Sequence, residues 1–246
     1  MLDTFTLSDE IDLPKKRRDF SGYKVTDIRA AVHTERVNIF INDKFFCSLD
    51  ISQVVDLKIK VGRELSEEEL SSLKRASEFS KFYSLALEYV FLRPHSKKEI
   101  NDYLVRKTLD RKVRVKNRKT GEYQTKIKQG YDKSLVPLVL QRLDDRGYLD
   151  DERFAKLWVE NRNVSKGVSQ KKLRNELLQK GIATHIIDKV LSNTSRSDED
   201  ELKKVVAKKR NRYTDEQKFI QYLLRQGFNY SDILDELSST ESSEWA

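Results

Sequence analysis

The chain has one cysteine, three prolines, eight glycines and three histidines in 246 residues, and no long apolar run. Each shortage excludes something. A lone Cys47 rules out an internal disulfide framework and a cysteine-rich zinc site. Set in Phe45-Phe46-Cys47, it reads as a buried structural thiol. Without about 18 consecutive apolar residues there is no candidate membrane helix. The N-terminus is acidic and lacks an apolar core, so no secretory signal is read there and a cytosolic protein is expected. His33, His95 and His185 lie far apart and share no ligand spacing, so each is expected as a surface or capping residue. No Gly-rich phosphate loop and no nucleophile elbow occurs. The expectation is a protein without metal, cofactor or catalytic activity.

What the chain does have is charge and helix formers. Charged residues make up 36%, hydrophobic residues 37%, and the formal net charge is +8. Few breakers and modest apolar content predict a helix-rich fold with small cores and much solvated surface. A basic balance suits a polyanionic partner, but a merely solvated surface accounts for it as well.

Residues 1–21 mix charges without periodicity around Lys15-Lys16-Arg17-Arg18 and read as a tail. Residues 22–78 form an N-terminal module. There Val37, Ile39 and Ile41 alternate with Asn38, Phe40 and Asn42, a strand signal, and Asn42-Asp43 offers a tight turn before the next strand. Ser66 and Glu69 then form a capping box at a helix start.

Beyond that point the chain repeats itself. SQKKLRNELLQKGIATHIIDKVL (169–191) aligns without gaps on DEQKFIQYLLRQGFNYSDILDEL (215–237). Leu173, Leu177, Leu178, Gly181, Ile182, Ile187 and Leu191 match Phe219, Leu223, Leu224, Gly227, Phe228, Ile233 and Leu237. The apolar positions share one face before the glycine and one after it, and the glycine suits a left-handed helix stop. A further copy begins at the capping box Ser96–Glu99, but its Gly-apolar pair waits until Gly130-Tyr131. Each copy has a leading helix, marked by Phe82, Leu85, Ala86 and Tyr89, by Phe154, Leu157 and Trp158, and by Leu202, Val205 and Val206. The expected fold is mainly α: an elongated array of three tandem three-helix repeats (79–149, 150–194, 195–240) after a small β-hairpin module.

Residues 108–129 interrupt the first repeat at its inter-helix turn. Between 106 and 133 stand eleven basic side chains against three acidic ones, a local +8 equal to the net charge of the whole chain. Alternation in 111–116 and 123–128, on either side of a Gly-containing turn, predicts a β-hairpin. Strands of seven or eight residues would make an arm of roughly 25 Å. Arg111, Lys112, Arg114, Lys116, Arg118, Lys119, Lys126 and Lys128 are the candidate phosphate contacts, with Arg162, Lys171, Lys172 and Arg174 a second basic group. A tolerated solvated insertion is the other reading. The acids Asp144, Asp145, Asp150, Asp151 and Glu152 could include a magnesium pair of a nuclease, Asp150 and Asp151, but Asp150 stands at an N-cap position with Asp151 and Glu152 on the first helical turn.

Leu143-Asp144-Asp145-Arg146-Gly147-Tyr148-Leu149-Asp150-Asp151-Glu152-Arg153-Phe154-Ala155 closely resembles the signature of RecX regulatory proteins. Lys171 to Ile182 is similar to their second repeat and Tyr222 to Phe228 to the close of their third. The resemblance spans about residues 80–237. It implies tandem three-helix repeats and a non-enzymatic regulator that lies in the groove of the RecA filament on DNA, most often inhibiting its ATPase and strand exchange in recombination and repair. The matched residues are mostly caps and core, so they carry the fold. The basic insertion departs from the family's short Lys-Gly turn. Expected partners are RecA filaments and single- and double-stranded DNA, with no membrane and a monomeric state. A stand-alone DNA-binding protein is the alternative.

Overall fold

A computed structural model describes residues 22–31, 36–117 and 120–243. The tail read at 1–21, His33, and Arg118 and Lys119 lie outside the described residues. The chain divides into two units at Ser80.

The first unit is an antiparallel sheet of β1 (Tyr23–Ala30), β2 (Arg36–Ile41), β3 (Lys44–Asp50) and β4 (Glu64–Leu65), in the order β3-β2-β1-β4. The predicted hairpin is its β2–β3 pair. Asn42 and Asp43 both have positive φ, 48° and 62°, the two-residue turn whose twist matches the strands. Alternation buries Val25, Ile39, Ile41, Cys47 and Leu49 with Leu65 and Leu73. After a short α1 (Ile51–Asp56) comes α2 (Glu67–Leu92), which starts where Ser66 and Glu69 exchange hydrogen bonds of 3.2 and 2.9 Å. The sheet is larger than the sequence reading because β1 pairs with β2 through an irregular register at Val25–Asp27, which blurs its alternation.

The second unit holds three helix triplets. The end of α2 combines with α3 (Lys97–Lys107) and α4 (Val136–Asp145). Next come α5 (Asp151–Asn161), α6 (Gln170–Gln179) and α7 (Thr184–Ser192), then α8 (Asp198–Lys209), α9 (Glu216–Gln226) and α10 (Tyr230–Ser243). The second triplet has its own core of Phe154, Ala155, Val159, Leu173, Leu177 and Ile187. The third has Leu202, Val206, Phe219, Leu223, Phe228 and Ile233. Phe82, Ala86, Ile100, Leu104, Val139 and Leu143 are the corresponding buried residues of the first.

The joints between triplets are polar and recur. Ser96, fully buried, caps α3 by accepting from the Glu99 amide at 3.1 Å and donates to the Lys180 carbonyl at 2.7 Å. Ser169, also fully buried, accepts from the Lys172 amide at 3.2 Å and donates to the Gln226 carbonyl at 2.6 Å. Beside each serine, the next amide reaches into the following triplet. Lys97 donates to Asp151 at 2.8 Å and Gln170 to Asp198 at 2.7 Å. One serine hydroxyl therefore satisfies an orphan amide at one helix start and an orphan carbonyl at the end of another. Gly181 and Gly227 sit at positive φ, 79° and 96°. A Cβ there would lie 2.7 Å from Lys98 side-chain atoms and 2.7 Å from the Ser169 hydroxyl, so the preceding triplet needs the space as much as the turn needs the conformation.

Gly130 behaves differently from its aligned partners. It is absent from the positive-φ residues, and α3 ends at Thr108 instead. A Cβ on Gly130 would stand 2.1 Å from the Thr108 carbonyl oxygen, so the missing side chain lets the two ends of the insertion meet.

At the second joint, Glu201 is almost fully buried and takes bonds from Arg196 (2.6 Å), Lys204 (2.8 Å) and the Val168 amide (2.9 Å). Burial alone would raise its pKa, but these bonds hold it below the usual carboxylate range. Glu99, held by Lys180 and Arg93 against the same burial cost, is also lowered.

Ser169→Ala removes both joint bonds and should cost about 1–3 kcal/mol in urea denaturation. Because the folded-state values of Glu99 and Glu201 are lowered, their contribution should be complete above about pH 4.3 and fade as pH falls through those lower values. Melting curves across that range, flatter in Glu201→Gln than in the parent, would check it.

Candidate nucleic-acid interface

The insertion forms a separate two-stranded antiparallel sheet, β5 (Arg111–Lys116) and β6 (Tyr123–Lys128). Each strand has six residues where seven or eight are expected, so the arm is nearer ~20 Å long at ~3.3 Å per residue. The turn is closed by the Asn117 amide on the Glu122 carbonyl at 2.8 Å, with Gly121 at φ 75°. At the root, the Gly130 amide donates to Asp110 at 2.9 Å and the Tyr131 amide to the Lys107 carbonyl at 3.1 Å.

Register assigns the faces. Arg111 opposes Lys128, Val113 opposes Lys126 and Val115 opposes Gln124 on one side. Lys112 opposes Ile127, Arg114 opposes Thr125 and Lys116 opposes Tyr123 on the other. Cations therefore stand on both faces, and every residue of β6 is exposed. On the second face the Tyr123 ring, 60% exposed, lies 5.1 Å from the Arg114 guanidinium and 6.0 Å from the Lys116 ammonium. An exposed ring between two cations is an arrangement on which a base can stack while phosphates meet the charges. Arg111 directly opposite Lys128 is a like-charge pair that weakens the hairpin, leaving room for an anion to relieve it.

Under the root lies a cleft of about 350 Å³. Arg106 and Lys107 from α3 face Arg111 and Lys128 across it, with Tyr103, Tyr131, Leu85 and Leu109 as further walls. The Lys107 ammonium sits 4.8 Å from the Tyr103 ring centre. Burial, then Arg111, Lys128 and Arg106, push its pKa below the ordinary lysine value.

The second basic group is largely engaged within the protein. Arg162 makes a two-pronged pair with Glu176 at 2.8 and 3.0 Å, Arg174 pairs with Asp188, and Lys172 donates to Gln226 at 2.5 Å. Lys171 is exposed beside Gly227. None of these residues lines the cleft under the hairpin root.

The acids serve as caps and pairs. Asp150 accepts from the Arg153 amide at 2.9 Å and Asp151 from the Lys97 amide. Glu152 takes bonds from Lys156 and Lys189, which pull its pKa down to about 2. Among the described residues, no three His, Cys, Asp or Glu side chains converge in a way that could hold a metal ion. His185 is exposed, as expected, but His95 is buried. Its ring packs 3.9 Å from Tyr89, and burial, then Arg93, push its pKa down. The burial is set by the α2–α3 turn, which folds the imidazole inward against Tyr89, and no local pattern announces it. Two features escaped the sequence reading. The Tyr123–Lys116 pairing was recoverable from hairpin register, whereas the cleft draws on α2, α3 and both strand roots. No helix among the described residues is long and apolar enough to cross a membrane.

Comparison with known proteins places two stretches. The profile "Regulatory protein RecX N-terminal domain" matches residues 23–66, and "RecX, second three-helix domain" matches 150–191. Both lie outside the hairpin. The chain is 29% identical over 225 residues to a regulatory protein RecX of Bacillus licheniformis, covering 88% of this chain and 77% of that one. It is 29% identical over 167 residues to that of Bacillus subtilis (68% and 55%), and 27% identical over 188 to that of Clostridium tetani (76% and 76%). A crystal structure of regulatory protein RecX superposes with a TM-score of 0.65 at 24% identity, covering 85% of this chain and 96% of that one, which establishes the shared fold.

Because the hairpin pairs only with itself, replacing residues 112–127 by Asn-Gly should leave the repeats standing. The calorimetric midpoint is expected to move by less than about 4 °C, the shift that ~1 kcal/mol brings in a chain of this size.

Proposed function

Since the chain belongs to the RecX family of regulatory proteins, we propose that it binds the RecA–DNA nucleoprotein filament and restrains RecA ATPase and strand exchange, with the β5–β6 arm on DNA. The observation that carries the DNA part is the arm itself. It bears cations on both faces, an exposed tyrosine between two of them, and Glu122 as its one acidic residue. A polyanion lowers the free energy of such a surface by separating its like charges and releasing its own counterions. Arg111, Lys112, Arg114, Lys116, Lys126 and Lys128 are assigned to phosphates, with Arg118 and Lys119 assigned from sequence alone. Lys171 is the member of the second group best placed to reach a partner. Arg162, Lys172 and Arg174 would have to give up internal bonds first, which costs part of any gain.

RecA recognition falls to the repeat unit. The first two triplets share a chain-direction rule, each beginning its second helix at a serine that meets the next triplet. A partner built of repeating subunits suits a surface that presents equivalent faces in succession. The regulatory role of the family calls for no catalytic group, and the acids that could suggest a nuclease are occupied as caps and ion pairs.

The alternative is a DNA-binding protein whose action does not require RecA, and the arm's charge is the observation in its favour. RecA ATPase on single-stranded DNA with substoichiometric protein tests the proposal. Inhibition should appear with the parent chain and weaken, without vanishing, when 112–127 is replaced. Inhibition that vanishes together with DNA binding would favour the alternative, and no effect on the ATPase would sink the RecA assignment. Duplex affinity should fall with log salt at a slope of roughly −4 to −5 for five neutralised phosphates, and flatten in the truncated chain.

A further inference from the structure

The cleft under the arm has a different character from the arm. The strands present charge outward on a two-sided ribbon, whereas the cleft is concave and has a fixed floor. Its rigidity comes from the close meeting of Gly130 with the Thr108 carbonyl, the Gly130–Asp110 bond and the Tyr131–Lys107 bond, which pin both strand roots onto the end of α3. The aromatic walls are fixed too. Tyr131 stacks on Phe82 with centroids 4.4 Å apart and planes within 7°, and Tyr103 stacks on Tyr89 at 3.9 Å within 2°.

Four cationic side chains converge on this cleft and no carboxylate lines it. Lys107 is half-buried among the other three. Burial first, and then the three neighbouring cations, disfavour its charged form, and an anion in the cleft would offset both. The volume, about 350 Å³, lies at the small end of ligand sites and suits a single nucleotide; a duplex has no extruded unit to insert.

We infer that this cleft receives one unstacked nucleotide of a single-stranded nucleic acid, its phosphate among Arg106, Lys107, Arg111 and Lys128 and its base against the tyrosine and leucine walls. This rests on the reading that the arm binds DNA, and adds to it a preference for single strands. The arm grips phosphates of either form; the cleft accepts only a unit that has left its stack.

Anisotropy of a labelled oligothymidylate and of a duplex of equal length, with the full chain and its Lys107→Gln variant, separates the two. Loss of one charge-assisted contact should weaken single-strand binding about tenfold and duplex binding far less. Lys107→Arg, which keeps the charge, should stay near the parent, and an unchanged melting midpoint in both variants excludes misfolding. Equal loss on the two forms, or none on either, overturns the cleft assignment. Thymidine monophosphate alone, titrated into the parent chain, identifies the source of the nucleotide. Tight binding that leaves strand affinity untouched would make a free nucleotide the occupant and overturn the strand assignment. Failure of the arm reading looks different: the chain with 112–127 replaced would bind duplex as tightly as the parent.

Discussion

Ser96 and Ser169 occupy equivalent places in successive triplets, and both are fully buried between two helix ends. A helix start has amides without partners and a helix end has carbonyls without partners. Left unpaired in a buried joint, each would cost on the order of 1–3 kcal/mol. A hydroxyl solves both at once because it donates and accepts, and it is small enough for the helices to approach. The glycine that follows each carbonyl removes the Cβ that would hold them apart. Much else follows from this joint. Each triplet keeps its own small core, and the repeat is carried from one to the next by polar contacts of fixed direction.

The joint also governs where charge is spent. Lys180 pairs with Glu99, Arg196 with Glu201 and Arg162 with Glu176, so cations near the joints and within the triplets are matched by buried or half-buried carboxylates. Side-chain hydrogen bonds from those cations, with Coulomb attraction added, hold the acids ionised despite burial. The arm is the opposite case. Its cations lie in water with almost no acids beside them, and two of them are paired across the strands with each other. Such charge is not offset by carboxylates within the arm, unlike that at the joints.

The insertion enters at the second inter-helix turn of the first triplet, which has no triplet before it. At Gly181 and Gly227 the neighbouring triplet fills the space beside the turn. After α3 that space is taken instead by the returning strand at Gly130. A long arm is tolerated at this turn because loop closure there costs little and disrupts no joint. Its root, fastened to α3, then becomes the wall of a cleft that neither α3 nor the hairpin has alone.

The local code was legible because it depends on neighbours in sequence. Period-two alternation and Asn42-Asp43 located β2 and β3; Ser66, Ser96 and Asp150 marked helix starts; the charge of 106–133 marked the arm. The aligned glycines fixed the helix turns, since φ preference is a property of one residue. Tertiary structure alone decided the rest. Nothing local tells Arg162 that Glu176 will quench it while Arg114 stays in water, or that His95 turns inward, or that Gly130 serves close approach and not a left-handed turn. Burial, ion pairing and concavity are relations between segments distant in the chain, so they come into being only when those segments meet.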